Sequence, residues 1–224
     1  MNPASTGGQL RSCRALIFDF DYTLADSTTG VLECIRFAFR EMNLPEPAHD
    51  AMRATIGHSL AVAFTQLTGR TDPVLQQDYR RLFLQHAGEV IVGLTTLYDA
   101  TAPVMHILRT AGVRLAIAST KNRAQIEGIL AHNDLSDCFE VIVGGNDVTL
   151  QKPDPEALEL ARTRLGTSAA ETIYVGDSIV DAEAASRAGL GFIAVLTGTT
   201  KREEFAAFPS LFILESVAEL PKYW

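Results

Sequence analysis

Six short apolar runs constrain what this chain can fold into. Most of them end in a polar or glycine-containing turn, and none alternates between polar and apolar residues. Runs of this kind are typical of strands that are covered on both faces, as in a parallel sheet. They are ALIF (15–18), VRLAIAS (113–119), FEVIVG (139–144), TIYVG (172–176), GFIAVL (191–196) and LFIL (211–214).

Helical patterns separate these runs in the second half of the chain. They cover 102–112, 122–133, 154–166 and 180–189, and several end in glycine, a frequent signal for a helix C-terminus. Strands that alternate with helices predict right-handed βαβ units. The fold class is therefore α/β, with a doubly wound, Rossmann-like parallel sheet.

The region from 28 to 94 departs from this alternation. It carries helical patterns such as GVLECIRFAFREMNL and DPVLQQDYRRLFLQHAGEV, and it has no convincing strand. We interpret it as an all-helical cap domain inserted after the first strand. The predicted core domain then consists of 14–27 and 95–224, and the polar, Gly/Ser-rich segment 1–13 is predicted to be a flexible tail.

Charge and composition limit the partners that the chain can have. Its formal net charge is −8, and its basic residues are scattered rather than clustered. Binding to nucleic acid or to an anionic membrane needs a concentrated basic patch, so we expect neither partner. Three widely spaced cysteines, no apolar run of spanning length and no signal-peptide pattern predict a cytoplasmic protein. The sequence leaves open whether it is a monomer or a dimer.

Polar residues follow four of the predicted strands. Ligands of doubly wound sheets bind beyond the carboxyl ends of the strands, so these residues are candidates for one site. They are Asp19 and Asp21, then Ser119, Thr120 and Lys121, then Lys152 in the loop LQKPDP, and finally Asp177 and Asp181.

These residue types suit phosphoryl transfer. Clustered carboxylates repel one another unless a cation neutralises them, and oxygen ligands of this kind suit Mg²⁺. An ammonium and a small hydroxyl group supply hydrogen bonds to phosphoryl oxygens. One carboxylate then remains available as a nucleophile.

Four segments, in this order, resemble the four motifs of the haloacid dehalogenase superfamily. They are FDFDYTLADS, IAST, QKPDP and VGDSIVDAEAA. The helical insertion resembles a C1-type cap. Together with TIGHSL and the GDSxxDAxAAxxAG pattern, it indicates the branch that contains phosphoglycolate phosphatases.

The resemblance implies roles for individual residues. Asp19 would be the nucleophile. Asp21 would protonate the leaving alcohol, later activate the hydrolytic water, and give its backbone carbonyl to Mg²⁺. Ser119 and Lys152 would contact the transferring phosphoryl group. Asp177 and Asp181 would complete the metal site, with Asp181 binding directly or through water.

Other residues receive less specific predicted roles. Thr120 and Lys121 are candidates for phosphate binding because they follow the second motif, and Gly57 in TIGHSL would let the cap backbone approach the substrate closely. Tyr22 stands where the family often has glycine. Asp26 is given a structural role. Four cap arginines could bind a remote anion of the substrate, although none is favoured individually: Arg36, Arg40, Arg53 and Arg70.

The second aspartate of the first motif decides the activity that the resemblance implies. Haloacid dehalogenases proper lack it, since displacing a halide needs no acid. Because Asp21 is present, we predict a Mg²⁺-dependent phosphatase acting on a small phosphorylated metabolite, phosphoglycolate-like or a sugar phosphate. The alternatives are a β-phosphoglucomutase-type mutase, an inorganic pyrophosphatase, or a non-catalytic binding or regulatory protein with a degenerate core of this type.

Overall fold

The computed structural model describes residues 13–224. Its strands are β1 (Ala15–Phe18), β2 (Ala25–Asp26), β3 (Thr96–Leu97), β4 (Arg114–Ala118), β5 (Val141–Val143), β6 (Thr172–Gly176), β7 (Gly191–Val195) and β8 (Phe212–Leu214). Six of them form one sheet in the order β5-β4-β1-β6-β7-β8, in which every pair of neighbours is parallel. The other two, β2 and β3, form a separate ribbon. The doubly wound parallel sheet is thus confirmed.

A helical insertion separates β2 from β3. Its helices are α1 (Thr28–Glu41), α2 (His49–Arg53), α3 (Leu60–Thr68) and α4 (Pro73–Val90). They enclose an apolar cluster of their own. In it, the ring centre of Tyr79 lies 5.3 Å from the ring centre of Phe64 and 5.9 Å from that of Phe39. The predicted helical insertion is confirmed, although the short α2 was not predicted.

The ribbon of β2 and β3 joins the insertion to the core. Ala25 pairs with Leu97 and Asp26 with Thr96 in antiparallel register. Next to it, the Leu24 carbonyl accepts hydrogen bonds from the Tyr98 amide at 3.1 Å and the Thr101 hydroxyl at 2.6 Å. The chain therefore enters and leaves the cap at one place.

The remaining helices cover both faces of the sheet. They are α5 (Thr101–Thr110), α6 (Arg123–His132), α7 (Glu156–Leu165) and α8 (Ile179–Arg187). Leu16 and Phe18 of β1 pack in one apolar layer with α5 and α6, while Ile17 packs in the opposite layer with α7 and α8. This double coverage explains why the strands show no polar alternation.

Two further expectations concern the ends of the chain and the membrane. The predicted tail lies outside the described residues, apart from Cys13. Within 13–224, none of the helices combines the length and the apolar character needed to cross a bilayer.

Candidate active site

Three of the predicted site residues lie one residue beyond the ends of neighbouring strands. The Asp19 amide donates to the Val175 carbonyl at 2.9 Å, and the Ser119 amide donates to the Val143 carbonyl at 3.0 Å, so both continue the ladder of the sheet. Asp177 directly follows β6. Because β4, β1 and β6 are adjacent and parallel, these side chains meet at one edge, where the strand order reverses.

A carboxylate cluster forms at this edge, defined here as Asp19, Asp177 and Asp181. One oxygen of each lies within 4.8 Å of the others, and all three side chains are buried. Asp181 reaches the cluster from the first turn of α8, where it accepts hydrogen bonds from the Ser178 amide at 3.1 Å and the Ser178 hydroxyl at 2.6 Å. Ser178 caps α8, which leaves the Asp177 carboxylate facing the cluster.

Lys152 supplies a positive charge to the cluster. Its Nζ lies 2.9 Å from Asp19 Oδ1 and 2.6 Å from Asp181 Oδ1, and it donates to the Tyr174 hydroxyl at 3.0 Å. Tyr174 Oη in turn donates to the Ala118 carbonyl at 2.9 Å. The sequence did not reveal Tyr174, because an aromatic residue in a buried strand has the pattern of a core residue.

Burial and charge together set the protonation of these groups. Burial raises the pKa of Asp19 to about 6, against the opposing effect of the Lys152 ammonium. Burial, followed by the negative charges of Asp181 and Asp19, raises the pKa of Asp177 well above its ordinary range. Burial alone would lower the pKa of Lys152, but its two carboxylate partners outweigh this effect and raise it. If all three carboxylates were ionised, they would carry more negative charge than the single Lys152 ammonium compensates.

A divalent cation fits this donor set. Asp19 Oδ1 is buried and forms an ion pair with Lys152 at 2.9 Å, and a carboxylate oxygen has a second lone pair that can bind a cation. The three donor oxygens lie within 4.8 Å of one another, which is close enough for one cation to contact all three. All three donors are carboxylate oxygens, which Mg²⁺ prefers. These residues would hold the metal.

Asp21, predicted both as an acid/base and as a metal ligand, lies apart from the carboxylate cluster. Its carboxylate accepts hydrogen bonds from Lys121 Nζ, at 2.9 Å, and from the Ser27 hydroxyl. Lys121 was predicted to bind phosphate, and its ammonium here pairs with Asp21. The structure thus separates the two aspartates of the first motif into different ionic environments, one around Lys152 and the other around Lys121.

The cap contacts the core beside Asp21. Thr120, predicted to bind phosphate, donates through its hydroxyl to the Gly57 carbonyl at 3.0 Å. Gly57 has a φ of +91°, a conformation that favours glycine. These two predicted residues therefore meet each other where the cap closes on the sheet edge.

Tyr22 adopts the left-handed conformation, with a φ of +62°, at the position where the resemblance leads one to expect glycine. Its ring is buried in the apolar cluster of the cap, and its hydroxyl lies 3.0 Å from the Thr28 hydroxyl and accepts from Arg53 at 3.3 Å. Burying an aromatic ring stabilises by about 2 kcal/mol, which offsets a backbone cost of about 1 kcal/mol. Tyr22 thus joins the core to the cap.

Gly198, which the sequence did not single out, lies against the carboxylate cluster. A Cβ at this position would overlap the Oδ2 atom of Asp177. We expect Gly198→Ala to displace that carboxylate and to weaken Mg²⁺ binding by about 10- to 100-fold, as changes around metal ligands commonly do. The Mg²⁺ concentration that gives half-maximal activity measures the effect.

Gly93→Ala is the matched control for this substitution. A Cβ at Gly93 has no atom within 4 Å, so the Mg²⁺ requirement should match that of the wild type. An unchanged Mg²⁺ requirement in Gly198→Ala would mean that Asp177 does not hold the metal.

Comparison with known proteins connects this geometry to a family. A model described as haloacid dehalogenase-like hydrolase matches residues 16–195. A probable phosphatase, IndB, from Dickeya dadantii is 30% identical over 92% of this chain and 90% of its own length. A phosphoglycolate phosphatase from Salmonella typhimurium is 28% identical over 95% of this chain and 92% of its own length. A haloacid dehalogenase-like hydrolase from Bacteroides fragilis, known from its crystal structure, is 38% identical, with a TM-score of 0.90 over 93% of this chain and 99% of that one.

Proposed function

The chain belongs to the haloacid dehalogenase-like hydrolase family and is a phosphatase of that family, and on this premise we propose that it hydrolyses small phosphate monoesters, with Mg²⁺, through an aspartyl-phosphate on Asp19. The observation that carries the proposal is the separation of the two aspartates of the first motif. Asp19 lies in the carboxylate cluster beside Lys152, whereas Asp21 pairs with Lys121. Two carboxylates held in different environments can take two different roles.

Asp19 is the proposed nucleophile. One of its oxygens forms a bond to phosphorus while the bond between phosphorus and the ester oxygen breaks. Lys152 Nζ, 2.9 Å from Asp19, is placed to hold both this carboxylate and an oxygen of the transferring group. Ser119, buried at the end of the neighbouring strand, supplies a hydroxyl donor to the same group.

Asp21 is the proposed acid and base. In its protonated form Asp21 transfers its proton to the leaving ester oxygen. The resulting carboxylate then removes a proton from the water that attacks the aspartyl-phosphate, so that phosphate, free Asp19 and protonated Asp21 are regenerated. Lys121 and Ser27 fix the orientation of its carboxylate. Lys121 is therefore proposed as a positioning residue for Asp21.

The metal would be held by the carboxylate cluster, with the backbone carbonyl of Asp21 as a further proposed ligand. When bound, Mg²⁺ supplies positive charge that stabilises the negative charge on the transferring phosphoryl group. The cap, joined to the core through Gly57 and Tyr22, excludes bulk water from Asp19 and contacts the leaving group.

A substrate screen tests the proposal. Purified protein, with Mg²⁺ present and with the metal removed by EDTA, is given p-nitrophenyl phosphate, sugar phosphates, phosphoglycolate and pyrophosphate. We expect Mg²⁺-dependent release of inorganic phosphate from phosphate monoesters. Conversion of a hexose 1-phosphate to its 6-phosphate without phosphate release would instead indicate a mutase. Absence of turnover on every compound would refute the phosphatase proposal.

A further inference from the structure

Tyr174 is a buried polar side chain that the proposed mechanism does not use. It lies on β6 in the apolar layer covered by α7 and α8, and its ring packs near that of Phe192, with ring centres 6.3 Å apart. A phenylalanine would serve that packing equally well, since the two rings have the same shape. The hydroxyl group is therefore the part of this side chain that needs an explanation.

The Tyr174 hydroxyl contacts three segments that are distant from one another in the sequence. It accepts a hydrogen bond from Lys152 Nζ at 3.0 Å, and it lies 2.9 Å from the Ala118 carbonyl and 3.1 Å from Asp181 Oδ1. A phenol has one hydrogen to donate, so it donates to one of these two acceptors at a time. One partner would satisfy a buried hydroxyl group, whereas this one lies among groups from three of the four motifs.

The contact with Ala118 joins two strands that are not neighbours. β1 lies between β6 and β4 in the sheet, which puts these two strands about 10 Å apart. Backbone hydrogen bonds cannot span this distance, and a serine or threonine side chain would be too short. The tyrosine side chain reaches from β6 to the last residue of β4, directly before Ser119. It thereby links the strand that precedes Asp177 to the strand that precedes Ser119.

The ammonium group of Lys152 has this hydroxyl as one of three partners. The three oxygens around Lys152 Nζ belong to Asp19 at 2.9 Å, Asp181 at 2.6 Å and Tyr174 at 3.0 Å. An ammonium has three hydrogens, one for each of them. Asp19 changes during the proposed reaction, because its carboxylate becomes an acyl-phosphate. Asp181 and Tyr174 do not change, so they hold the ammonium in place through both steps.

We propose that Tyr174 is a positioning residue for phosphoryl transfer, whose hydroxyl keeps Lys152 directed at Asp19 and at a fixed distance from the strand end that carries Ser119. The inference rests on the proposed phosphatase function and adds to it a residue that precedes the fourth motif. Tyr174 acts through Lys152 and not on the reacting atoms. Its loss should therefore reduce the rate of the chemical step more than the binding of the substrate.

Tyr174→Phe removes the hydroxyl and keeps the ring. We expect kcat for p-nitrophenyl phosphate to fall by about 10- to 100-fold, as is common when the partner that orients a site residue is lost. KM should stay within about threefold of the wild type, because Lys152 is still present to attract the phosphate. Tyr223→Phe, in a ring that stacks on Phe212, makes the same chemical change and should keep the wild-type kcat. Circular dichroism and the unfolding midpoint establish that both variants are folded.

NMR of the lysine ammonium groups tests the contact without any measurement of activity. The chain has four lysines, of which Lys201 and Lys222 are exposed and Lys121 and Lys152 are buried. In protein labelled with ¹⁵N-lysine, Lys121→Arg removes the signal of the other buried lysine and so identifies that of Lys152. We expect a slowly exchanging Lys152 signal in the wild type, with a nuclear Overhauser effect to the Tyr174 hydroxyl. In Tyr174→Phe its exchange with water should become at least about tenfold faster, the value of one hydrogen bond to a charged group.

The outcomes separate this inference from the function on which it rests. If the wild type hydrolyses p-nitrophenyl phosphate and folded Tyr174→Phe keeps the wild-type kcat, the phosphatase proposal stands and the inference fails. A lower kcat with an unchanged Lys152 signal would also overturn it, since Tyr174 would then not act through Lys152. So would a wild-type Lys152 signal that exchanges as rapidly as those of the exposed lysines, a result that does not require the variant to fold. If the wild type hydrolyses no ester at all, the phosphatase proposal itself fails.

Discussion

Replacing Asp19 by asparagine is expected to reduce phosphate release by at least about 10⁴-fold, the scale of loss when a covalent nucleophile is removed. The amide keeps the size of the carboxylate but cannot form an acyl-phosphate. The substitution also removes one of the negative charges around Lys152, while Asp181 still pairs with that lysine. The fold should therefore survive, and the loss should lie in kcat. Phosphate release from p-nitrophenyl phosphate measures it.

Asp26→Asn provides the matched control in the same segment. Asp26 is exposed, and its carboxylate accepts a hydrogen bond from the Thr28 amide at 2.8 Å, which an asparagine oxygen can also do. Its kcat/KM should stay within about twofold of the wild type, since surface substitutions have small effects. Retention of substantial activity in Asp19→Asn would contradict the covalent mechanism.

The sheet and the site edge were predictable because both depend on local patterns. Doubly covered strands give uninterrupted apolar runs, and TIYVG coincides with β6 from Thr172 to Gly176. Once the strands are parallel, the residues that follow them must share one edge, which brings Asp19, Ser119 and Asp177 together. The four motifs therefore carry the position of the site as well as its chemistry.

Pairings between distant parts of the chain were not predictable. Thr23 donates to Asp177 at 3.0 Å across 154 positions, and Lys121 pairs with Asp21 across 100. No local pattern marks such partners, because a threonine or a lysine in a loop has the same sequence appearance whether it is solvated or buried. The ribbon of β2 and β3 was not predicted for another reason. Two residues in each strand are too few to show any alternation of polar and apolar residues.

Lys152→Met is expected to destabilise the metal-free protein by about 3–5 kcal/mol, the usual cost of breaking a buried ion pair. The substitution keeps the length of the side chain but leaves Asp19 and Asp181 buried without their cation. It also leaves the Tyr174 hydroxyl without a donor. Urea unfolding at pH 7 in EDTA measures the loss. Phosphatase activity should be lost as well, since Lys152 is the proposed partner of the transferring phosphoryl group.

A second substitution separates charge burial from lost packing. Asp181→Asn in the Lys152→Met background removes one of the two uncompensated charges, while its amide oxygen can still accept from Ser178 in the first turn of α8. Stability should therefore rise again by about 1–3 kcal/mol, whereas activity should not return. Lys222→Met, at a surface ion pair with Glu219, should leave stability nearly unchanged. If the double variant is no more stable than the single one, the loss arises from packing, and Lys152 does not act by neutralising the cluster.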